Sequence, residues 1–476
     1  VNHFDVVIIG GGQAGIPLAH GLAKAGKTVA LAERKFLGGS CVNFGCTPTK
    51  AAIASAKLAH QARRASEYGL RIPKVEVDFA GVLERAKRIA LNSRHGHDKS
   101  LEHAENPKLL RGHARLEGRA DGLFQVRVGD QRVSAKQVVL NTGTRSFIPP
   151  ISGLMDVDVI HAGNWLEMPM LPTHLAVIGG GYIGLEMAQF YARMGSDVTV
   201  LHMGTQVADH EDEDVAQTLQ TLLEREGIQF QIGVNVKRTE ARADGVRVSF
   251  ERDGTTHELD ASHVFVATGR VMNTDDLGLE TLGVKLSNRG VVEVDDHLET
   301  SVPGIFAAGD IRGGPQFTHT AWDDYRILEN QIVGDGLKTT RRVLPYGLFT
   351  DPELGRVGMT EHEAIDQGLD VKVAKFELKR NGKALEIGEP DGFIKLVVDA
   401  KTDRILGAAV LSSEGAELVH TYVTAMNADA PFTVIRDAVF AHPTLQEAIQ
   451  SATALIKTSV PPRSSPRDLE TARRGS

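Results

Sequence analysis

The chain has 476 residues, 42% of them hydrophobic, which is enough for large cores and, at roughly 150 residues per domain, for about three domains. The formal net charge is −8 and no basic stripe interleaves with aromatics, which argues against nucleic acid as a partner. There are two cysteines, too few to staple a secreted scaffold, and the longest apolar stretch is broken by glycines and a glutamate, so no bilayer span is expected.

The chain opens with "VNHFDVVIIGGG", an apolar strand with no basic segment before it, and the expectation is a soluble cytoplasmic protein. The first unit runs from "FDVVIIGGGQAG" into "GLAKAGKTVALAE": strand, glycine turn, helix, strand. Gly10, Gly12 and Gly15 form a GxGxxG in the context that gives this motif meaning, after a buried strand and at a helix N-terminus. Such a turn lets backbone N–H groups approach a pyrophosphate. The second strand ends in Glu33, close to the expected place for an acid that binds a ribose hydroxyl.

Next comes "GGSCVNFGCTPTK", Gly38 to Lys50, which holds Cys41 and Cys46. Two thiols in one short loop and none elsewhere point to chemistry rather than packing. In an ideal helix five residues rise about 7.5 Å, more than the roughly 4.4–6.8 Å Cα separation of a disulfide. A regular helix would therefore forbid a bond between them. Gly45 and Pro48 permit a distorted first turn that would allow it, and a helix N-terminus also favours a thiolate. Two free thiols remain an alternative; a zinc site would need two further ligands.

Further along, "RHGHDKS" at Arg94 to Ser100 reads as a solvated helix face, not a metal site. "VVLNTGT", ending near Thr142 and Gly143, and "VFVATGR", with Gly269, fit the last strands of two nucleotide-binding units. Between them "LAVIGGGYIG" runs into "FYARMGSDVTVLH", a second strand–turn–helix–strand with Gly179, Gly181 and Gly184. The offset of Glu33 from Gly15, applied to Gly184, gives His202. One unit thus has an acid for a 2′-hydroxyl and the other does not, so two different dinucleotides are expected. "TSVPGIFAAGD" places Gly309 and Asp310 after another buried strand, where a carboxylate suits a ribityl hydroxyl. Beyond Val343, "KLVVDA" and "ILGAAVL" read as antiparallel strands around the turn "KTDR". The tail, rich in Pro, Ser and Arg, is expected to be disordered.

The loop "GGSCVNFGCTPTK" resembles the GG[TS]CxNxGCxPxK signature of the FAD-dependent pyridine nucleotide–disulfide oxidoreductases, the family of dihydrolipoamide dehydrogenase, glutathione reductase and mercuric reductase. "GIFAAGD" resembles the second FAD motif of that family. "LFTDPELGRVGMTE" resembles the entry to its dimerisation domain, and "FAHPTLQEA" resembles its C-terminal His-Pro-Thr-x-x-Glu. The resemblance implies an α/β fold with two Rossmann-like dinucleotide-binding domains and a C-terminal α+β dimerisation domain. The expected bounds are an FAD-binding domain over 1–148, an NAD(P)-binding domain over 149–270, a segment completing the FAD site over 271–342, a dimerisation domain over 343–458 and the tail over 459–476.

The resemblance also implies roles. Gly10, Gly12, Gly15 and Glu33 would hold the adenosine half of FAD and Asp310 its ribityl chain. Thr142, Gly143, Gly179, Gly181, Gly184, His202, Gly269 and Gly309 would serve the cofactor sites. Cys46 would lie against the flavin, and Cys41 would attack a substrate disulfide. Lys50 would lie near the flavin and pair with Glu186, and Tyr182 would cover the flavin until nicotinamide arrives. His442, from the partner subunit of a homodimer, would be the acid–base group, held by Glu447.

Two departures from the pattern bear on function. No arginine follows His202 in "HMGTQVADHEDED", so a 2′-phosphate has neither a repelling acid at 202 nor a bidentate partner, and coenzyme choice stays open with a lean to NADPH or dual use. The family's "GRxPN" reads "GRVMN" here, without its proline. The leading reading is an enzyme passing two electrons between NAD(P)H and a dithiol or disulfide, like dihydrolipoamide dehydrogenase. A metal-ion reductase like mercuric reductase is the alternative, although the chain lacks a C-terminal cysteine pair and has His442. A flavin-holding scaffold without turnover is the alternative of another class.

Overall fold

The structure is a computed structural model and describes residues 2–458; the tail expected to be disordered lies outside them. The chain divides into two compact units, Val1–Asp209 with Leu223–Arg342, and His210–Leu222 with Val343–Ser476.

In the first unit, strand β1 (Asn2–Ile9) enters helix α1 (Gly15–Lys24), which returns to strand β2 (Val29–Glu33). β1 pairs in parallel with β2 on one side and with Gln131–Leu140 on the other. Val6, Val7, Ile8 and Ile9 are all buried. Such a continuous apolar run, without alternation, is what a strand covered on both faces requires. Ile305–Ala307 joins the far side of Gln131–Leu140, also in parallel. The chain after each of these strands, including the first glycine turn and Gly309–Asp310, therefore leaves the same edge of the sheet. Helix α2 (Gly39–Asn43) and helix α3 (Cys46–Arg63) follow β2.

The arrangement recurs. Strand β3 (His174–Ile178), helix α4 (Tyr182–Met194) and strand β4 (Asp197–His202) form a second turn-bearing unit. Its five-stranded sheet is completed in parallel by Gln229–Ile232, His263–Val266 and Val159–His161. Three antiparallel strands between Asn235 and Ala261 make a separate small sheet. A later helix, α5 (Thr318–Val333), follows Gly309–Asp310.

The second unit holds a five-stranded antiparallel sheet. Phe393–Asp399 and Ile405–Ser412 pair across the turn anticipated at "KTDR". Asp399 closes that turn by accepting hydrogen bonds from the Lys401 and Thr402 backbone N–H groups at 3.0 and 2.7 Å. Gln446–Ala454 buries Ala448, Ile449 and Ala452 in the core of this unit. The α/β class, with two glycine-turn sheets followed by a C-terminal α+β region, is as expected.

Candidate active site

Between the two cysteines the helix is interrupted. Cys41 lies in α2 and Cys46 is the first residue of α3. The Phe44 and Gly45 N–H groups both close onto Ser40 O, at 2.9 and 2.7 Å, which ends α2. Gly45 then takes φ −102°, ψ −113°, outside helical geometry, and restarts the chain as α3. A side chain at Gly45 would come within 3.2 Å of Ser40 O. The break removes the separation that a regular helix would impose, and the two thiols come close enough for each to shift the ionisation of the other, Cys41 upward and Cys46 downward. Both are present as free cysteines. Asn43 is buried and ties the start of α2 down, donating to Leu37 O and Gly39 O at 2.9 and 2.8 Å. Arg94, from the "RHGHDKS" helix, donates to Asn43 Oδ1 at 2.6 Å. Among the described residues no group of three His, Cys, Asp or Glu is placed to hold a metal.

The surroundings separate the two thiols chemically. Cys46 is lowered to about 6, first by the hydrogen bond from Cys41, then by the Thr318 hydroxyl and the charge of Lys50. Cys41 is pushed up, by sharing its proton with Cys46 and by burial. The shifts run in opposite directions, favouring the thiolate at Cys46 and the thiol at Cys41. Thr318 Oγ1 lies 3.2 Å from Cys46 Sγ at the start of α5. Lys50, one turn along α3 from Cys46, donates to Glu186 Oε2 on α4 at 2.7 Å. The Glu186 side chain is 8% exposed, so the ion pair is largely withdrawn from water.

The glycine turns are the other candidate element. Gly10 has φ +111°, and a side chain there would lie 2.2 Å from Asn141 O; Gly15 packs its α-carbon against Gly10 O. Gly179 and Gly184 repeat both features in the second unit. Glu33 Oε2 accepts the Gly11 N–H at 2.8 Å, and His202 Nδ1 accepts the Gly180 N–H at 3.0 Å. His202 is buried, and its Nε2 lies 2.9 Å from Asp209 Oδ1. Tyr182 is the first residue of α4. Thr142 and Gly143 are tied to Asn273, which donates to Gly143 O and Thr142 O, each at 2.9 Å. Asp310 accepts the Thr144 hydroxyl at 3.0 Å, and Arg270, next to Gly269, lies 3.8 Å from it. Gly309 N–H is held at 2.8 Å by Asp324, which is fully buried between Arg312 and Arg342.

In the second unit His442 Nδ1 lies 3.0 Å from Glu447 Oε1. Glu447 is fixed by the Thr444 N–H at 2.8 Å; this contact, and then the imidazole, hold its carboxyl below the usual range. With Nδ1–H donating to the carboxylate, Nε2 is left as the proton acceptor on a side chain that is 78% exposed.

Residues 4–324 match the pyridine nucleotide-disulphide oxidoreductase family, and residues 344–453 match its dimerisation domain. The chain belongs to the pyridine nucleotide-disulphide oxidoreductase family. It is 35% identical to dihydrolipoyl dehydrogenase of Cupriavidus necator over 95% of this chain and 97% of that one. It is 32% identical to the probable pyridine nucleotide-disulfide oxidoreductase RclA of Escherichia coli, over 96% of this chain and the whole of the relative. Among solved structures, the Cu(II) complex of the HOCl-induced flavoprotein disulfide reductase RclA from Escherichia coli superposes with a TM-score of 0.86 at 31% identity, over 96% of this chain and all of that one. The protein is thus a flavoprotein disulfide oxidoreductase whose cofactors are FAD and NAD(P)H, and its dimerisation domain supports a homodimer. No helix among the described residues is long and apolar enough to cross a membrane.

The residues present fit FAD and a nicotinamide dinucleotide. At Gly181, the N-cap of α4, and at Gly143, nothing lies within 4 Å of where a side chain would begin, so a ligand can come close to both backbones. Three residues near these sites were not singled out from the sequence. Asn141 accepts the Gly15 N–H and donates to Ala308 O, at 2.9 and 2.8 Å, joining the first turn to the Gly309–Asp310 strand. Thr318 and Asp324 both sit on α5, one against Cys46 and the other against Gly309. Asn141 directly precedes Thr142–Gly143 and was within reach of a motif search. Thr318 carries no local signal, because its partner Cys46 is 272 positions away; Asp324 is closer to Gly309 in sequence, but no motif marks the pair.

Proposed function

We propose that the chain reduces or oxidises a small disulfide or dithiol substrate in the manner of dihydrolipoyl dehydrogenase, with its redox centre at Cys41 and Cys46. The observation that carries this reading is the helix restart between the two cysteines, which puts Cys46 at the start of α3, 3.2 Å from the Thr318 hydroxyl and one turn before the Lys50–Glu186 pair. FAD, when bound, supplies the two electrons from NAD(P)H that open the Cys41–Cys46 disulfide. The first glycine turn with Glu33 and Asp310 holds that cofactor, and the second turn with Tyr182 receives the nicotinamide coenzyme. This assigns 1–148 and 271–342 to FAD, 149–270 to NAD(P)H and 343–458 to the dimer.

In this reading Cys46 is the inner thiol and Cys41 the outer one. Cys41 holds its proton, so its attack on a disulfide needs a base. His442 of the partner subunit, oriented by Glu447, takes that proton at Nε2. The Cys41 thiolate then forms a mixed disulfide with one substrate sulfur, and the other leaves as a thiolate that takes the proton back from His442. Cys46 attacks Cys41 Sγ, releases the second substrate thiolate and closes the Cys41–Cys46 disulfide. The substrate gains two electrons and the cysteine pair loses two; the second released thiolate is protonated from solvent.

A second reading is reduction of a bound metal ion by the same dithiol. It is supported by the RclA structure obtained as a Cu(II) complex. Anaerobic NADH or NADPH titration, followed by turnover with lipoamide, glutathione disulfide, small aromatic disulfides and cupric ion, separates the two. A long-wavelength thiolate–flavin band with disulfide turnover supports the first reading. Turnover of cupric ion alone replaces it with the second.

A further inference from the structure

At the end of β4 the second unit departs from the first. Glu33 answers the Gly11 N–H with a carboxylate oxygen; His202 answers the Gly180 N–H with Nδ1. Because that N–H donates, Nδ1 carries no proton, and the imidazole proton is on Nε2. Nε2–H points to Asp209 Oδ1 at 2.9 Å. The imidazole thus stands between the turn and a carboxylate that lies seven residues further along the chain.

The loop between them is built to hold that carboxylate in place. Ala208 takes a left-handed φ of +48°, uncommon for a residue with a β-carbon, and its N–H donates to Gly180 O at 2.9 Å. Gly180 is therefore gripped through its N–H by His202 and through its carbonyl by the residue before Asp209. Gly204 leaves room for the pair: a side chain there would lie 2.3 Å from Asp209 Oδ1 and 2.6 Å from His202 Nε2. Asp209 is half exposed, so its carboxylate borders solvent while it meets the imidazole. From Met203 to Asp214 the sequence has no lysine or arginine to receive a phosphate.

We propose that Asp209, oriented by His202, selects the coenzyme: its carboxylate accepts the 2′-hydroxyl of NADH and repels the 2′-phosphate of NADPH. The sequence gives the opposite lean, because the acid is absent from the strand end. The structure returns a carboxylate to that end through the imidazole. The inference rests on the reading that the second glycine turn binds the nicotinamide coenzyme. Asp209 would touch the ribose; His202 is a positioning residue.

Isothermal titration of NAD+ and NADP+ into the FAD-loaded, full-length protein tests this without reference to turnover. Wild-type protein should bind NAD+ the more tightly. Asp209→Ala should narrow that preference by about tenfold, the weight of one charge-assisted hydrogen bond, and Asp209→Glu should keep most of it. His202→Ala should narrow it as well, with the melting temperature of each variant measured to show that the fold is intact; a merely structural role would weaken both coenzymes alike. Tighter wild-type binding of NADP+ overturns the proposal, as does an unchanged ratio in Asp209→Ala when both coenzymes bind. Failure of either coenzyme to bind wild-type protein overturns the reading of the second turn itself, and this inference with it.

Discussion

Lys50 Nζ lies 2.7 Å from Glu186 Oε2, joining the helix that begins at Cys46 to the helix that begins at Tyr182. The pair links the redox loop to the second glycine turn, and its charges act on the thiolate in opposite directions: Lys50 lowers Cys46 and Glu186 raises it. Lys50→Met leaves the Glu186 carboxylate buried without its cation. The expected cost is about 3 kcal/mol, the low end for breaking a buried pair, because Lys50 is itself about a third exposed. It should also raise the pH at which Cys46 gives up its proton. Lys50→Met with Glu186→Gln should recover most of the stability and bring the thiol titration part of the way back, because the raising influence of Glu186 goes with the lowering one of Lys50. Thermal melts and a thiolate absorbance titration of the three variants measure the two effects separately. Equal stability of all three would show that the pair is not energetically coupled.

Thr318 makes a prediction about pH. Cys46, at about 6, is a thiolate above that pH and is protonated as the pH falls through it. A charge-transfer band that depends on this thiolate should fade below about pH 6 in the reduced enzyme. Thr318→Val removes the hydroxyl at 3.2 Å. A hydrogen bond to a charged group is worth roughly 1.5–3 kcal/mol, the lower end of which is about one pH unit. The fading should therefore begin about one unit higher in the variant. An unmoved midpoint would mean that Thr318 does not donate to the thiolate.

The cysteine loop, both glycine turns and the antiparallel hairpin around "KTDR" were legible in the sequence because their constraints are local. A turn with positive φ needs glycine, a buried parallel strand needs a continuous apolar run, and a helix restart between two cysteines needs something like Gly45. Residues whose partners are distant were not legible. Thr318 meets Cys46 across 272 positions. His202 shows the limit most clearly. The offset copied from Glu33 found the residue that accepts the turn's N–H, since the distance along the chain from the last turn glycine and the turn geometry repeat in both units. It could not find Asp209, whose approach depends on the left-handed Ala208. Alanine gives no sequence signal for that conformation.

The assignment of inner and outer thiols predicts a contrast between two serine variants. Cys46→Ser should abolish the charge-transfer band while FAD stays bound, since the glycine turns and Asp310 are untouched. Cys41→Ser should keep a band, with Cys46 remaining as a thiolate. Absorbance spectra of both variants across pH decide this. A band in Cys46→Ser and none in Cys41→Ser would exchange the two roles.

Cys41 and His442 give the final prediction. In the proposed reaction the protonated Cys41 thiol needs a base, and the His442–Glu447 pair supplies one from the other chain of the homodimer. Each Cys41→Ser homodimer lacks a nucleophile at both sites, and each His442→Ala homodimer lacks a base at both. A heterodimer of the two variants gathers both lesions into one site and leaves the other with an intact Cys41 facing an intact His442. Mixing the inactive variants after subunit exchange should therefore restore activity, up to about a quarter of wild type: half of the dimers are mixed at random assortment, and one of their two sites is whole. Glu447→Ala should act like a weaker His442→Ala, because the imidazole loses the carboxylate at 3.0 Å that keeps its proton on Nδ1. The assay is disulfide reduction in mixtures whose exchange is verified by differently tagged chains. If tagged heterodimers form and show no activity, the base that serves Cys41 belongs to the same chain.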